Sequence, residues 1–197
     1  MNEDKIKIYD ILISSIYDSG KTNFCLRYAD NIHDKDTTRT ISLDFKIKRV
    51  VLDNGKEIVI RLWDSQSGDY WKKLGNISMK NYKGLIFLYD ITFRETFDSA
   101  KDWCIEAKRD YNNKVIAIVG NKIDREKDRK VTTEEGQNFA NENNFIFYET
   151  STLYGINVNE CINSIIQKID EKDSQNKRIN LKYNVVNERP RKRICLK

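Results

Sequence analysis

Gly20-Lys21-Thr22 stands at the end of the first strongly apolar run, and Asn121-Lys122-Ile123-Asp124 follows a later one about a hundred residues on. The two motifs would do complementary chemistry. A Gly-Lys-Thr after a strand opens a helix whose backbone N–H groups face phosphate; the lysine reaches the β- and γ-phosphates and the hydroxyl binds Mg²⁺. A carboxylate placed after Asn-Lys can accept two hydrogen bonds from the N1 and N2 edge of guanine, a donor pair that adenine lacks. Either motif alone is a modest signal. Together they imply a site for GTP or GDP with Mg²⁺.

The phosphate loop would be Ser15-Ile16-Tyr17-Asp18-Ser19-Gly20-Lys21-Thr22. Successive N–H groups of such a loop form an anion cradle. Asp64 ends the run Val59–Trp63, where a carboxylate can hold Mg²⁺ through water, as Walker-B acids do. Thr40 precedes the strand-like run 41–52 and can reach the same ion from a loop, which makes Thr22, Thr40 and Asp64 the candidate metal set. Ser151-Thr152-Leu153 follows the last strand-like run and can close over the base with backbone N–H groups. His33 is the only histidine, so a histidine metal site or triad has no second imidazole. Cys25, Cys104, Cys161 and Cys195 have neither zinc nor disulfide spacing; the first three read as small core residues.

Strand and helix patterns alternate around these residues. Ile6–Ile13 reads as a strand entering a core, and Lys21–Ala29 has helical spacing with Phe24, Cys25 and Tyr28 on one face. Residues 41–52 and Glu57–Trp63 are strand-like and joined by Asp53-Asn54-Gly55, a hairpin turn. Gly84–Tyr89 and Val115–Val119 are continuous apolar runs, as in strands buried on both faces. Helices are expected at about 68–80, 94–109, 133–143 and 156–170, with Thr132-Thr133-Glu134-Glu135 as a helix start and Asn144–Tyr148 as a last strand. The expected fold is α/β: a P-loop NTPase G domain, with a six-stranded, mostly parallel sheet, one antiparallel hairpin and helices on both faces. Ligands of such sheets sit beyond the carboxyl ends of the strands, where each motif falls.

The 197 residues fit one domain, at 1–172, plus a basic tail, at 173–197. The tail holds eight Lys/Arg against Asp173 and Glu188, a net +6; since the whole chain is +5, residues 1–172 are near −1. The pattern fades from Asp173, and Pro190, the only proline, lies in Arg189-Pro-Arg-Lys-Arg193, so the tail is read as a flexible extension. A basic tail on a near-neutral body suits an acidic membrane surface; a solvated end is the plainer alternative. No apolar stretch approaches the roughly 20 residues of a membrane span. The N-terminus has no signal-peptide core, so a cytoplasmic protein is expected.

The chain resembles the small GTPases of the Ras superfamily, in a divergent form of the Rab branch, over about residues 7–172. The resemblance is carried by Thr40–Lys46 (Thr-Ile-Ser-Leu-Asp-Phe-Lys), Leu62-Trp63-Asp64, Leu88-Tyr-Asp-Ile-Thr92, Gly120–Asp124, Glu149-Thr-Ser151 and Phe97–Trp103. Neither a Rho-type insert nor the acidic tail of the Ran branch is visible. The resemblance implies a monomeric guanine-nucleotide switch with effector, exchange and activating proteins as partners, acting in vesicle traffic, with no nucleic acid. It implies an effector loop through Thr37, Thr38, Arg39, Thr40, Ile41, Ser42, Leu43, Asp44 and Phe45, and places His33 where an aromatic ring stacks on guanine.

The departures from the family pattern fall on the catalytic parts. Ser15 and Asp18 replace glycines, Tyr17 replaces a small residue that leaves room for an arginine finger, and Leu153 replaces a lysine that covers the base. Asp18 adds charge beside phosphate, a bare repulsion of about 4 kcal/mol at 4 Å and an effective dielectric of 20. The family's Asp-Thr-Ala-Gly-Gln-Glu becomes Asp64-Ser-Gln-Ser-Gly-Asp69. Ser67 thus replaces the glycine that contacts the γ-phosphate. Gly68 replaces the glutamine that orients water, and Gln66 lies two positions early. No catalytic residue is assigned, intrinsic hydrolysis is expected to be weak, and restoring glutamine at 68 is expected to raise it modestly. The Rab Tyr-Tyr-Arg-Gly-Ala stretch becomes Ser78–Tyr82, and Cys195, third from the end, fits neither the paired-cysteine ending nor C-a-a-X, so it stands as a candidate lipidation site outside both patterns. Two alternatives accompany this reading. One is a pseudo-GTPase that serves as a GTP-locked or nucleotide-poor scaffold. The other is an ATP-using P-loop kinase, which Asp124 disfavours.

Overall fold

The computed structural model describes residues 6–16, 18–35, 43–52, 55–74 and 78–187, with only the backbone of Tyr70 and of residues 176–187. Tyr17, Thr37, Thr38, Arg39, Thr40, Ile41, Ser42, the turn residues Asp53 and Asn54, and Cys195 lie outside the described residues.

Six strands form one sheet: β1 (Lys7–Ser14), β2 (Asp44–Val51), β3 (Glu57–Asp64), β4 (Tyr82–Asp90), β5 (Val115–Asn121) and β6 (Ile146–Thr150). Their order is β2-β3-β1-β4-β5-β6, and only β2 and β3 pair antiparallel. The apolar runs that feed β1, β4 and β5 are buried on both faces, as the sequence implied. Along β1 the two-residue repeat sends Tyr9, Ile11 and Ile13 to one face and Leu12 to the other.

Helices α1 (Lys21–Asp30) and α5 (Val158–Asn187) cover the first face, with Phe24, Cys25, Tyr28, Ile162, Ile165 and Ile169 in its core. On the opposite face lie α2 (Tyr70–Lys73), α3 (Arg94–Asp110) and α4 (Thr133–Asn143), packed through Trp71, Phe97, Trp103 and Ala140. Cys25, Cys104 and Cys161 are core residues as expected, and burial pushes each thiol up. Helix α4 opens with a capping box: Thr132 accepts from the Glu135 N–H at 3.1 Å, and Glu135 accepts from the Thr132 N–H at 3.0 Å.

Two helices differ from the sequence reading. The helix expected at 68–80 is a four-residue α2, with a further helical turn at Ser78 and Met79. Gly68, at φ 91°, has a backbone that no right-handed helix can contain, so α2 begins after it. Helix α5 runs unbroken past the boundary drawn at 172, to Asn187. Its sequence is polar from Asp170 to Arg178, which is why the pattern faded, but backbone hydrogen bonding needs no apolar stripe to continue. The 3-10 helix Ile123–Asp128, directly after β5, had no counterpart in the sequence reading.

Candidate nucleotide-binding site

The phosphate loop joins β1 to α1. Gly20 has φ 95°, and a Cβ there would sit 2.5 Å from Asn121 Nδ2, so both conformation and space require glycine. Ser19 donates to Ile16 O at 2.8 Å and tightens the turn. The Lys21 ammonium is buried, and donates to Ser15 Oγ at 3.1 Å and to Ser67 Oγ at 3.0 Å. The loop after β3 therefore lies against the phosphate loop. The Gly68 N–H donates to Ser15 O at 2.8 Å, Ser14 Oγ to Gly68 O at 3.4 Å, and Ser65 Oγ to Ile13 O at 2.7 Å. Asp18 is exposed at the rim, where water screens its charge.

Thr22 Oγ1 donates to Asp64 Oδ2 at 2.7 Å. A hydroxyl and a buried carboxylate so converge at the mouth of the phosphate loop. Two hard oxygens beside a phosphate cradle suit Mg²⁺, which takes one or two protein ligands and fills its octahedron with phosphate and water. No group of three His, Cys, Asp or Glu able to hold a metal occurs among the described residues.

The base side is built around Asn121, which is fully buried. Its Nδ2 donates to Ser19 O at 2.9 Å and Thr152 Oγ1 at 3.4 Å; its Oδ1 accepts from the Thr152 N–H and the Thr150 hydroxyl, each at 3.2 Å. One amide thus ties the phosphate loop to the loop after β6, with all four hydrogen-bonding positions used. Lys122, in the left-handed region at φ 69°, sends its ammonium to Asp90 at 2.8 Å. Burial opposes ionisation of Asp90, but the Lys122 ammonium and the N–H and hydroxyl of Thr92 outweigh it and hold the carboxyl below its ordinary value. The Ser151 hydroxyl donates to Asp124 Oδ1. That bond orients the carboxylate plane without exhausting its acceptor capacity.

The loop over the base is shaped from outside by a residue the sequence reading missed. Arg27, on α1, donates to Thr152 O and Leu153 O at 2.9 Å and to Asn31 O and Oδ1 at 3.0 Å. The Ser151 N–H is spent on Ile156 O at 3.1 Å and the Thr152 N–H on Asn121, so the backbone donors expected to face the base are in part engaged within the protein. His33 is half-buried, in a segment held by Asn23, whose side chain bonds both the N–H and the carbonyl of Asp34 at 2.8 and 3.0 Å. Its Nδ1 is enclosed and makes no hydrogen bond among the described residues.

Three separate strand ends therefore converge as the motifs required: Lys21 and Thr22 after β1, Asp64 at the end of β3, and Asn121, Lys122 and Asp124 at the end of β5. Gln66 stays on the loop before Gly68, half-buried. Adding a side chain at Gly68 meets no atom within 4 Å but strains its backbone, so glutamine there is not the simple restoration expected above. Of the effector loop, Leu43, Asp44 and Phe45 are described; Phe45 is 38% exposed and stacks on Trp63 at 4.5 Å between ring centroids.

The fold and the paired motifs define a P-loop protein equipped for guanine. The Ras family matches residues 12–171, and the chain belongs to that family. It is similar to Ras-related protein Rab-3C of Bos taurus, 32% identical over 169 residues that span 85% of this chain and 74% of that protein. Ras-related protein Rab-3A of Homo sapiens is also 32% identical, over 85% of this chain and 76% of its own length. Ras-related protein Rab-3 of Caenorhabditis elegans is 30% identical, over 84% and 75%. The chain is a Rab-like small GTPase of the Ras superfamily.

Proposed function

We propose that this protein binds GTP and GDP with Mg²⁺ and switches between the two forms, hydrolysing GTP slowly. The observation that carries the reading is Asn121, whose single buried amide joins the phosphate loop to the base loop. Lys21 would neutralise the β- and γ-phosphates, while the N–H groups of residues 15–20 cradle them. Thr22, Asp64 and Thr40 would hold Mg²⁺, which supplies charge neutralisation between the phosphates when bound. Asp124 would read the N1–H and N2–H donors of guanine, oriented by Ser151; Lys122, His33 and Leu153 would flank the ring. Ser67 would face the γ-phosphate. With Gly68 in place of a water-orienting side chain, we expect intrinsic hydrolysis below roughly 10⁻⁴ s⁻¹.

In this reading residues 1–172 are the nucleotide-binding domain and 173–197 the basic extension, whose first part is helical. The protein acts as a monomer in the cytoplasm, at the cytosolic face of an endomembrane, and takes part in vesicle traffic. Effectors and activating proteins engage the segment through 37–45 and the loop after Asp64, and Cys195 beside the basic residues is the candidate lipid attachment. A second reading, a catalytically impaired scaffold, is favoured by the hydroxyls of Ser15 and Ser67 on Lys21.

Asp124→Asn tests base recognition. An amide offers one donor and one acceptor where the carboxylate accepts twice, so the variant should exchange GDP for XDP preference. Retained GDP preference in the variant, by equilibrium titration, would remove Asp124 from the base contact.

A further inference from the structure

The segment 64–68 is fastened to the phosphate loop at three residues, Asp64, Ser67 and Gly68. Asp64 accepts from Thr22 at 2.7 Å, Ser67 accepts from Lys21 at 3.0 Å, and Gly68 exchanges backbone and hydroxyl hydrogen bonds with Ser15 and Ser14. The middle contact differs in kind from the others, because it engages the buried ammonium that serves phosphate. Ser67 and Ser15, the two hydroxyls on that ammonium, both stand where the family pattern has glycine, which offers no side-chain acceptor.

We infer that Ser67 is a built-in stand-in for the γ-phosphate on Lys21. Its hydroxyl oxygen takes an ammonium proton of the kind a γ-phosphate oxygen takes, and it carries segment 64–68 onto the phosphate loop by doing so. The segment is then docked by the chain's own hydrogen bonds when no γ-phosphate is present. GTP must displace Ser67 from Lys21, and GDP need not. Ser67 is thus a specificity-determining residue that lowers the preference for GTP over GDP and uncouples the order of this loop from the γ-phosphate. A hydrogen bond to an ionised group weighs about tenfold or more in an equilibrium constant, so one hydroxyl suffices to move the ratio. The inference rests on the guanine-nucleotide reading above.

The test compares the full 197-residue protein with Ser67→Ala and Ser67→Thr in the presence of Mg²⁺. Dissociation constants are measured for GDP and for a non-hydrolysable GTP analogue, and amide exchange is followed at Gly68 with GDP and without nucleotide. Ser67→Ala should tighten the analogue relative to GDP by about tenfold and speed exchange at Gly68, while Ser67→Thr, which keeps the hydroxyl, should behave as the parent. An affinity ratio unchanged within twofold, or equal Gly68 exchange in parent and alanine variant, would overturn the inference. Failure of all three proteins to bind either nucleotide would overturn the nucleotide reading; the Gly68 comparison without nucleotide still decides whether Ser67 holds the loop.

Discussion

Arg27 fixes the base loop through its carbonyls. Its four hydrogen bonds to Asn31, Thr152 and Leu153 join the end of α1 to the loop after β6. Arg27→Ala should speed release of a fluorescent GDP analogue about tenfold or more in a stopped-flow chase, since bonds from a charged donor are lost from a partly buried site. Arg27→Lys should not rescue it, because a point charge cannot bridge three residues as a planar fork does. Unchanged release by Arg27→Ala would make the contact structural decoration. Lys21, Thr22, Asn121 and Asp124 were legible from sequence because the chemistry sits in their side chains at fixed spacing. Arg27 was not: three of its four partners are main-chain oxygens, two of them more than a hundred residues away, and a carbonyl leaves no mark in a sequence. The glycine-to-serine departures at 15 and 67 were visible singly, but that both hydroxyls reach the same ammonium was not.

At the scale of elements, Asp170 pins α5 to the sheet. It accepts from Lys56 at 2.7 Å, from Tyr9 Oη at 2.7 Å and from Lys7 at 3.3 Å, joining the last helix to β1 and to the β2–β3 hairpin. The Lys56 ammonium, with Tyr9 and Lys7 behind it, outweighs burial and holds the carboxyl at about 2 against an ordinary 3.8. A carboxylate depressed by folding adds stability above its unfolded value and loses it as pH falls through its folded value. The contribution should therefore be full above about pH 4 and fade toward pH 2, amounting to about 2 kcal/mol. Urea midpoints at pH 6 should fall in Asp170→Asn, and the gap between parent and variant should close by pH 2; a gap that persists there would contradict the assignment. Strands with continuous or alternating apolar patterns were legible, as were α1, α3 and α4. The length of α5 was not, because the nine polar residues 170–178 interrupt the apolar spacing. The late start of α2 was not either, because it follows from the backbone of Gly68.

Over the whole molecule, the charge is lopsided. Residues 188–197 carry five Lys/Arg against Glu188, on a body that is close to neutral. No helix among the described residues is long and apolar enough to cross a membrane. Removing residues 188–197 leaves α5 entire and should abolish sedimentation of the protein with anionic vesicles while leaving nucleotide affinity unchanged; continued sedimentation would move the contact to the folded body. The central claim is guanine recognition, and it is tested most directly by competition between GDP and ADP at equal concentration on the parent protein with Mg²⁺. A site built to satisfy Asp124 with two donors should prefer GDP by at least roughly a hundredfold, since adenine offers that carboxylate no such donor pair. Equal binding of the two nucleotides would contradict the account.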